Sequence, residues 1–90
     1  MTIAFGIATP IARADLPGLC ARVCVLLERS EADIAFCDVS GVDSDAVTVE
    51  ALARLQLAAR RNGCRIWLCN PSAELRDLVE FMGLRDVLPA

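Results

Sequence analysis

The sequence predicts one α/β domain over residues 1–90, with a mainly parallel sheet of about four strands and three helices. Strand-like and helix-like segments alternate along the chain, and this order is typical of β-α units, whose crossover helices join parallel strands. A chain of 90 residues suffices for one core and is too short for two. The hydrophobic fraction is 56% with only three Phe and one Trp, so we expect a core of aliphatic side chains between helices and a sheet.

The first part of the chain predicts a strand, a helix and a second strand. Residues Thr2–Ala8 are rich in β-branched and aromatic side chains, and Thr9 and Pro10 are expected to close this strand. Asp15 is the expected N-cap of a helix of about four turns. Residues 34 to 37 (IAFC) are apolar without alternation. They therefore indicate a second strand that is covered on both faces, as in the middle of a parallel sheet.

The middle of the chain predicts a second helix and a third strand. The helix covers about residues 46 to 62, in which Leu52 and Leu55 face inward, and Gly63 supplies the left-handed residue that ends it. Residues 64 to 69 (CRIWLC) again lack alternation between apolar and polar side chains. They favour another strand that is buried on both faces.

The end of the chain predicts a third helix and a short last strand. Asn70 and Pro71 are the expected N-cap and first helical residue, because proline fits the first turn of a helix. Gly83 is expected to end this helix. Residues 84–90 are then expected to add a final edge strand to the sheet.

Composition argues against several classes of function. The net charge of -3 gives no attraction to a phosphate backbone, so nucleic acid is not an expected partner. The chain shows neither a basic secretion signal nor a membrane-length apolar run, which predicts a cytoplasmic protein without membrane insertion. The five cysteines form no CxxC pair and there is no histidine, so neither a metal nor a cofactor is expected. A monomer and a homodimer both remain open.

The polar residues that carry the functional prediction lie in residues 38–48 (DVSGVDSDAVT), between the second strand and the second helix. In open α/β sheets, ligands and partners meet the carboxyl ends of the strands. Asp43, Ser44 and Asp45 come at a helix start, where free N–H groups and the positive end of the helix dipole attract anionic groups. Simple capping of the helix by Ser44 or Asp45 explains the same residues and stays open.

Four motifs follow one another along the chain: DVSGV at residues 38–42, the aspartate Asp45, NGCRIWLCNPSAEL from Asn62, and GLRDVL at residues 83–88. This ordered set resembles the STAS domain family, which includes the anti-sigma-factor antagonists. The resemblance covers nearly the whole chain, although the amino-terminal strand of fuller members is not apparent. It implies a STAS-like fold and a protein-protein interaction module. Such a module regulates transcription or signalling by binding a partner such as an anti-sigma factor or kinase.

The resemblance also identifies the position of the family's phosphorylation switch. In the family, the second serine of an Asp-Ser-Ser-Gly motif is phosphorylated by a partner kinase, and the added charge releases the bound partner. Aligning Asp45 with the family aspartate puts Val47 at the acceptor position, and valine cannot accept phosphate. Thr48 and Ser44 are the remaining candidates, each only with a shifted geometry. We therefore expect binding that is not switched at the usual site.

The expected partner-binding surface lies at the start and on the outer side of the second helix. Apolar Val47 and Leu57 beside charged residues suit a small transient interface. For Glu50 and Arg54 an ordinary i,i+4 surface pair is the simpler alternative. The predicted partner-binding residues are Asp43, Ser44, Asp45, Val47, Thr48, Glu50, Arg54 and Leu57.

Other functions compete with this prediction. A phospho-aspartate receiver would use Asp38, with Asp43 or Asp45 holding Mg²⁺, but the sequence contains no lysine. A serine or cysteine triad lacks its histidine base. We therefore do not expect an enzyme. Two alternatives within the family stay open: a non-catalytic STAS subunit that regulates a transporter ATPase, and a nucleotide-binding STAS domain, for which no phosphate-cradling glycine pattern is present.

Overall fold

The computed structural model of the chain describes residues 1–8 and 12–90 and has an α/β architecture. Strands and helices alternate, as the sequence predicts. A short 3-10 turn, Arg13–Asp15, precedes the first helix. The strands are β1 (Thr2–Ala8), β2 (Ile34–Gly41) and β3 (Arg65–Cys69). The helices are α1 (Leu16–Ser30), α2 (Ala46–Arg61) and α3 (Ala73–Phe81).

The three strands form one parallel sheet in the order β1-β2-β3. Ile34 in β2 lies opposite Thr2 in β1 and opposite Arg65 in β3, so the strands start level with one another. Crossovers between parallel strands are almost always right-handed. Because the spatial order of the strands follows their order in the chain, this handedness places α1 and α2 on the same face of the sheet. Leu75 and Val79 of α3 belong to the same core.

The expectation that β2 and β3 are buried on both faces is wrong. In β2 the side chains of Ala35 and Cys37 are fully buried under the helices, whereas Phe36 between them is 39% exposed. In β3, Ile66 is buried and Trp67 is only half-buried. A short apolar run does not reveal how many faces are covered. Because of the sequential strand order, one face of the sheet has no helix on it in the part of the chain that the structure describes.

The core lies between this sheet and the three helices, and its aliphatic composition agrees with the prediction. Each helix contributes the side chains that recur on its inner side, and β2 and β3 contribute alternate residues. The most deeply buried large side chains are Leu27, Leu52, Leu55, Ile66 and Leu75.

The starts and ends of the helices agree with the sequence in part. Helix α2 begins at Ala46 as expected, and Gly63 has a φ of +69°, which confirms it as the left-handed residue after the helix. Asp15 precedes α1 but makes no capping bond to that helix, since its carboxylate accepts instead from Ala12 N at 3.3 Å. The expected cap of α3 at Asn70 is wrong. Ser72 is the N-cap, because its hydroxyl accepts from the backbone N–H of Leu75 at 3.1 Å.

The expected fourth strand is not confirmed at the end of the chain. After Gly83, the backbone turns back on itself through bonds from Val87 N and Leu88 N to Leu84 O. The segment makes one backbone bond to the outer edge of β3, from Leu68 N to Pro89 O at 2.8 Å. The sheet therefore has three strands in the described part of the chain.

Two further sequence expectations concern the start of the chain and membranes. Thr9 and Pro10, which were expected to close the first strand, lie outside the described residues. None of the helices in residues 1–8 and 12–90 combines the length and the apolar character needed to cross a bilayer.

Candidate functional site

The start of α2 is held by its own capping aspartate. Asp45 has an extended backbone and its Oδ1 accepts from the backbone N–H of Thr48 at 2.8 Å. This bond favours the charged carboxylate and is the main reason why the pKa of Asp45 lies below its ordinary value, and the Thr48 side chain adds a smaller effect in the same direction. The carboxylate stays exposed. Capping therefore accounts for Asp45 locally, and its charge remains accessible at the surface.

Ser44 connects the starts of two helices. Its Oγ lies 3.1 Å from Oγ of Ser72, the residue that caps α3. Asp43 lies exposed beside it. Sequence reasoning did not include Ser72, although a serine three residues before an inward leucine (Leu75) is a recognisable N-cap signal. The prediction favoured Asn70 because it is followed by proline, but Asn70 instead adopts a left-handed conformation with a φ of 56°.

Val47 and Thr48 point to different environments. Val47 is half-buried at the surface, but Thr48 is only 1% exposed. The inward stripe of α2 begins at Thr48 and continues through Leu52, which explains this burial. Within residues 1–8 and 12–90, the buried Oγ1 of Thr48 makes no hydrogen bond of ordinary geometry, although the Thr48 side chain contributes to the lowered pKa of the neighbouring Asp45 carboxyl. Thr48 therefore does not lie on the predicted partner surface, and its hydroxyl is not accessible to a kinase.

Charged residues occupy the next two turns of α2. Arg54 donates to Glu50 at 3.0 Å, which is the expected i,i+4 pair. Arg13, just before α1, reaches the same carboxylate at 3.7 Å. All three side chains are in contact with solvent, so each pair contributes at most about 1 kcal/mol to stability. Sequence reasoning had no signal for Arg13, because only the packing of α1 against α2 brings it close.

Leu57 lies beyond these charges on the same side of the helix and is 54% exposed. Positions 47, 50, 54 and 57 follow helical spacing and share one face. The face is about 15 Å long, because ten residues of helix rise by about 1.5 Å each. We call this set the α2 surface; it consists of Asp43, Ser44, Asp45, Val47, Glu50, Arg54 and Leu57.

A second group of polar side chains lies at the carboxyl ends of β2 and β3. Oδ1 of Asp38 accepts from the backbone N–H of Ser40 at 2.9 Å. This bond is the main reason why the pKa of Asp38 is lowered, and the Asn70 side chain adds a smaller effect in the same direction. The residues at 38 to 41 belong to β2 and not to a loop, so the strand is longer than the sequence suggested.

In residues 1–8 and 12–90 no cluster of metal ligands lies at the α2 surface, and the cleft at α3 is separate from that surface. In the part of the chain that the structure describes, no group of three or more Cys, Asp or Glu side chains could hold a metal ion. Asp38, Asp43 and Asp45 are thus not gathered into such a group. A cleft of about 540 Å³ lies elsewhere, between α3 and the last residues, and is lined by Leu68, Leu75, Arg76, Glu80 and Leu88 among others.

Comparisons with known proteins do not assign the chain to a family. Neither a protein-family model nor a curated protein matches it. The three-stranded parallel sheet with three helices is compatible with a STAS-like fold. The function of the chain is therefore inferred from its sequence motifs and from the chemistry of the α2 surface.

Proposed function

We propose that this chain is a non-catalytic, cytoplasmic interaction module, similar to an anti-sigma-factor antagonist, that binds a protein partner through the α2 surface. The observation that carries the proposal is that two accessible apolar side chains, half-buried Val47 and 54% exposed Leu57, lie at the two ends of one helix face. Glu50 and Arg54 lie between them and can exchange their mutual ion pair for contacts with a partner.

The chemistry of this face suits a small and reversible interface. Leu57 is an apolar side chain with no packing role in the core, and burying it against a partner would remove it from water. The ion pair on the face costs little to break, because exposed pairs contribute at most about 1 kcal/mol. Asp43 and Asp45 add negative charge at one end, so the partner is expected to present cationic side chains there.

We propose further that binding is not switched by phosphorylation of this surface. Val47 has no hydroxyl at the position that the resemblance identifies as the acceptor, and the hydroxyl of Thr48 is buried. Ser44 is the remaining hydroxyl, but it is bonded to Ser72 and has Asp43 and Asp45 as chain neighbours. A phosphate on Ser44 would lie beside two carboxylates and be repelled by them.

The experiment is affinity purification of the tagged protein from its native cells at physiological salt, with mass spectrometry of what is captured. Wild type is compared with Val47→Asp, and Val25→Asp is the matched control, because Val25 is 47% exposed on α1. An aspartate at position 47 falls in the first turn of α2, where a negative charge favours the helix, so the variant should fold. Circular dichroism checks this.

We expect wild type and Val25→Asp to capture the same protein, and Val47→Asp to capture it at least tenfold less. An anti-sigma factor or kinase in the eluate supports the proposed regulatory role. A transporter ATPase instead would support the alternative role as a STAS subunit of a transporter. Undiminished capture by folded Val47→Asp and by a second variant, Leu57→Asp, rejects the α2 surface as the docking site.

A further inference from the structure

In residues 1–8 and 12–90 no helix or strand covers the face of the sheet opposite the helices, although wholly parallel sheets are almost always covered on both faces. We call it the open face. The middle of this face is a row of three uncharged side chains that lie side by side across the strands, Ala4, Phe36 and Trp67. Phe36 is 39% exposed and Trp67 half-buried. Two of the four aromatic residues of the protein thus lie at the centre of a solvent-facing sheet.

Opposite charges lie on the two sides of this central row. The row before it contains Thr2, Ile34 and Arg65, and Arg65 is its cation. The row after it contains Gly6, Asp38 and Cys69, and Asp38 is its anion. The guanidinium of Arg65 lies over the Trp67 ring, 5.8 Å from the ring centre, so the positive charge adjoins the aromatic middle of the open face and the negative charge lies on its other side.

From this pattern we infer that the open face binds a second copy of this chain, face to face, with the strands of the two sheets antiparallel. The two-fold axis runs across the strands through the central row. Phe36 then packs against Phe36 of the second copy. Arg65 lies opposite Cys69 of the second copy, one strand spacing of about 4.8 Å from Asp38 of that copy, so its long side chain reaches that carboxylate. Each opposite-charge contact occurs twice, because a two-fold interface repeats every contact.

The charges also select this orientation over the other face-to-face arrangement. An axis parallel to the strands would place Asp38 directly on Asp38 of the second copy, which is repulsive. With the axis across the strands, the two Asp38 residues lie about 13 Å apart along the strand direction, because each is two residues of about 3.3 Å from the axis. The same separation applies to the two Arg65 residues.

The size of the open face predicts a weak dimer. Three strands about 4.8 Å apart and about seven residues long cover about 300 Å², whereas a stable interface buries about 800 Å² on each partner. We therefore expect dimers that form as concentration rises and not a permanent dimer. The two α2 surfaces would lie on the helix sides, away from the interface, so the dimer would present two docking surfaces.

The first test is sedimentation of the purified protein between about 10 μM and 1 mM. Wild type should change from monomer to dimer over this range. Phe36→Asp should raise the dissociation constant at least tenfold, because it buries two aspartates against each other. Val25→Asp, which adds the same charge to an exposed position of α1, should behave as wild type. Circular dichroism establishes that both variants fold. A folded Phe36→Asp variant that dimerises like wild type, or a wild type that stays monomeric at 1 mM, overturns the inference.

The second test uses two charge reversals in a mixing experiment. Arg65→Glu alone should be monomeric, because the new glutamate meets Asp38 of the second copy. Asp38→Lys alone should also be monomeric, because the new lysine meets Arg65. In an equimolar mixture, both contacts again join opposite charges, so heterodimers should form. A mixture that stays monomeric, or an Arg65→Glu protein that dimerises alone as wild type does, rejects the antiparallel arrangement.

A third measurement needs no substitution. Cys69 lies on the open face in the row of Asp38, and Cys24 lies half-buried on α1. The rate at which iodoacetamide alkylates Cys69, relative to Cys24, should fall between 10 μM and 1 mM protein as the open face becomes covered. A constant ratio across a monomer-to-dimer transition would mean that another surface forms the dimer.

Discussion

The side-chain amide of Gln56 bonds both backbone groups of Ile66: Nε2 donates to Ile66 O at 2.8 Å, and Oε1 accepts from Ile66 N at 2.8 Å. The same Nε2 also donates to Val87 O at 2.9 Å. Ile66 belongs to β3, and its outward backbone groups have no neighbouring strand in residues 1–8 and 12–90. Gln56 therefore replaces part of a fourth strand, and it ties α2, β3 and the end of the chain together.

We predict that Gln56→Leu lowers the free energy of unfolding by about 2–4 kcal/mol. Leucine is close to glutamine in size, but it leaves the buried N–H and C=O of Ile66 unpaired, and each unpaired buried group costs about 1–3 kcal/mol. Urea unfolding measures the loss. Leu57→Ala, on the exposed side of the same helix, is the control and should change stability by no more than about 0.5 kcal/mol. A loss below about 1 kcal/mol for Gln56→Leu would contradict the role of the amide.

Thr48→Val should leave stability unchanged or raise it by up to about 1 kcal/mol. The hydroxyl of Thr48 is buried and makes no hydrogen bond of ordinary geometry in the described chain, its influence on the pKa of Asp45 notwithstanding, and valine has nearly the same shape without that polar atom. The measurement is again urea unfolding, with Thr2→Val as a control in which an exposed hydroxyl is removed. A destabilisation of more than about 1 kcal/mol would show that the hydroxyl makes a stabilising bond.

The cap of α2 predicts a loss of stability in acid. The hydrogen bond from the Thr48 N–H to the Asp45 carboxylate lowers the pKa of this carboxyl from its ordinary value of 3.8. A lowered pKa in the folded state means that the bond contributes fully at pH values above 3.8 and is lost as the pH falls through the folded-state pKa. Thermal unfolding between about pH 2 and 7 follows this change.

Two substitutions of Asp45 separate the charge from the cap. Asp45→Asn keeps an oxygen that can accept the bond but does not titrate, so its stability should depend less on pH below 3.8 than that of wild type. Asp45→Ala removes the cap and should cost about 1 kcal/mol at pH 7. An Asn variant with an unchanged acid profile would show that other carboxyls are responsible for the acid sensitivity.

The thiols should differ in reactivity according to their burial. Cys37 is fully buried in β2, and burial is the main cause that raises its pKa to about 12. Thiolate is the reactive form, so Cys37 should be alkylated far more slowly than half-buried Cys24 at pH 8. Timed alkylation with iodoacetamide and peptide mass spectrometry compares the two rates. Equal rates in the folded protein would contradict the burial of Cys37, and equal rates in urea are the expected control.

The local sequence was sufficient to predict the elements that depend on neighbouring residues. Helix α2 begins at Ala46 and is followed by a left-handed Gly63, because Asp45 can cap a helix and glycine tolerates a positive φ. At α3 two local signals competed. Ser72 supplies a hydroxyl to Leu75 N, and this bond outweighed the preference of proline for the first helical position.

The parallel order of the elements and the aliphatic core could also be predicted from the sequence alone, because they depend on the periodicity of neighbouring residues and on the composition. Contacts between distant segments cannot be predicted in this way. Only the tertiary structure decided which face of β2 is covered, that Thr48 is buried, and that Gln56 completes the edge of β3. These outcomes depend on the handedness of the crossovers and on which helix packs beside which strand. An apolar run such as residues 34 to 37 fits one covered face as well as two, so its exposed Phe36 could be recognised only in the folded chain.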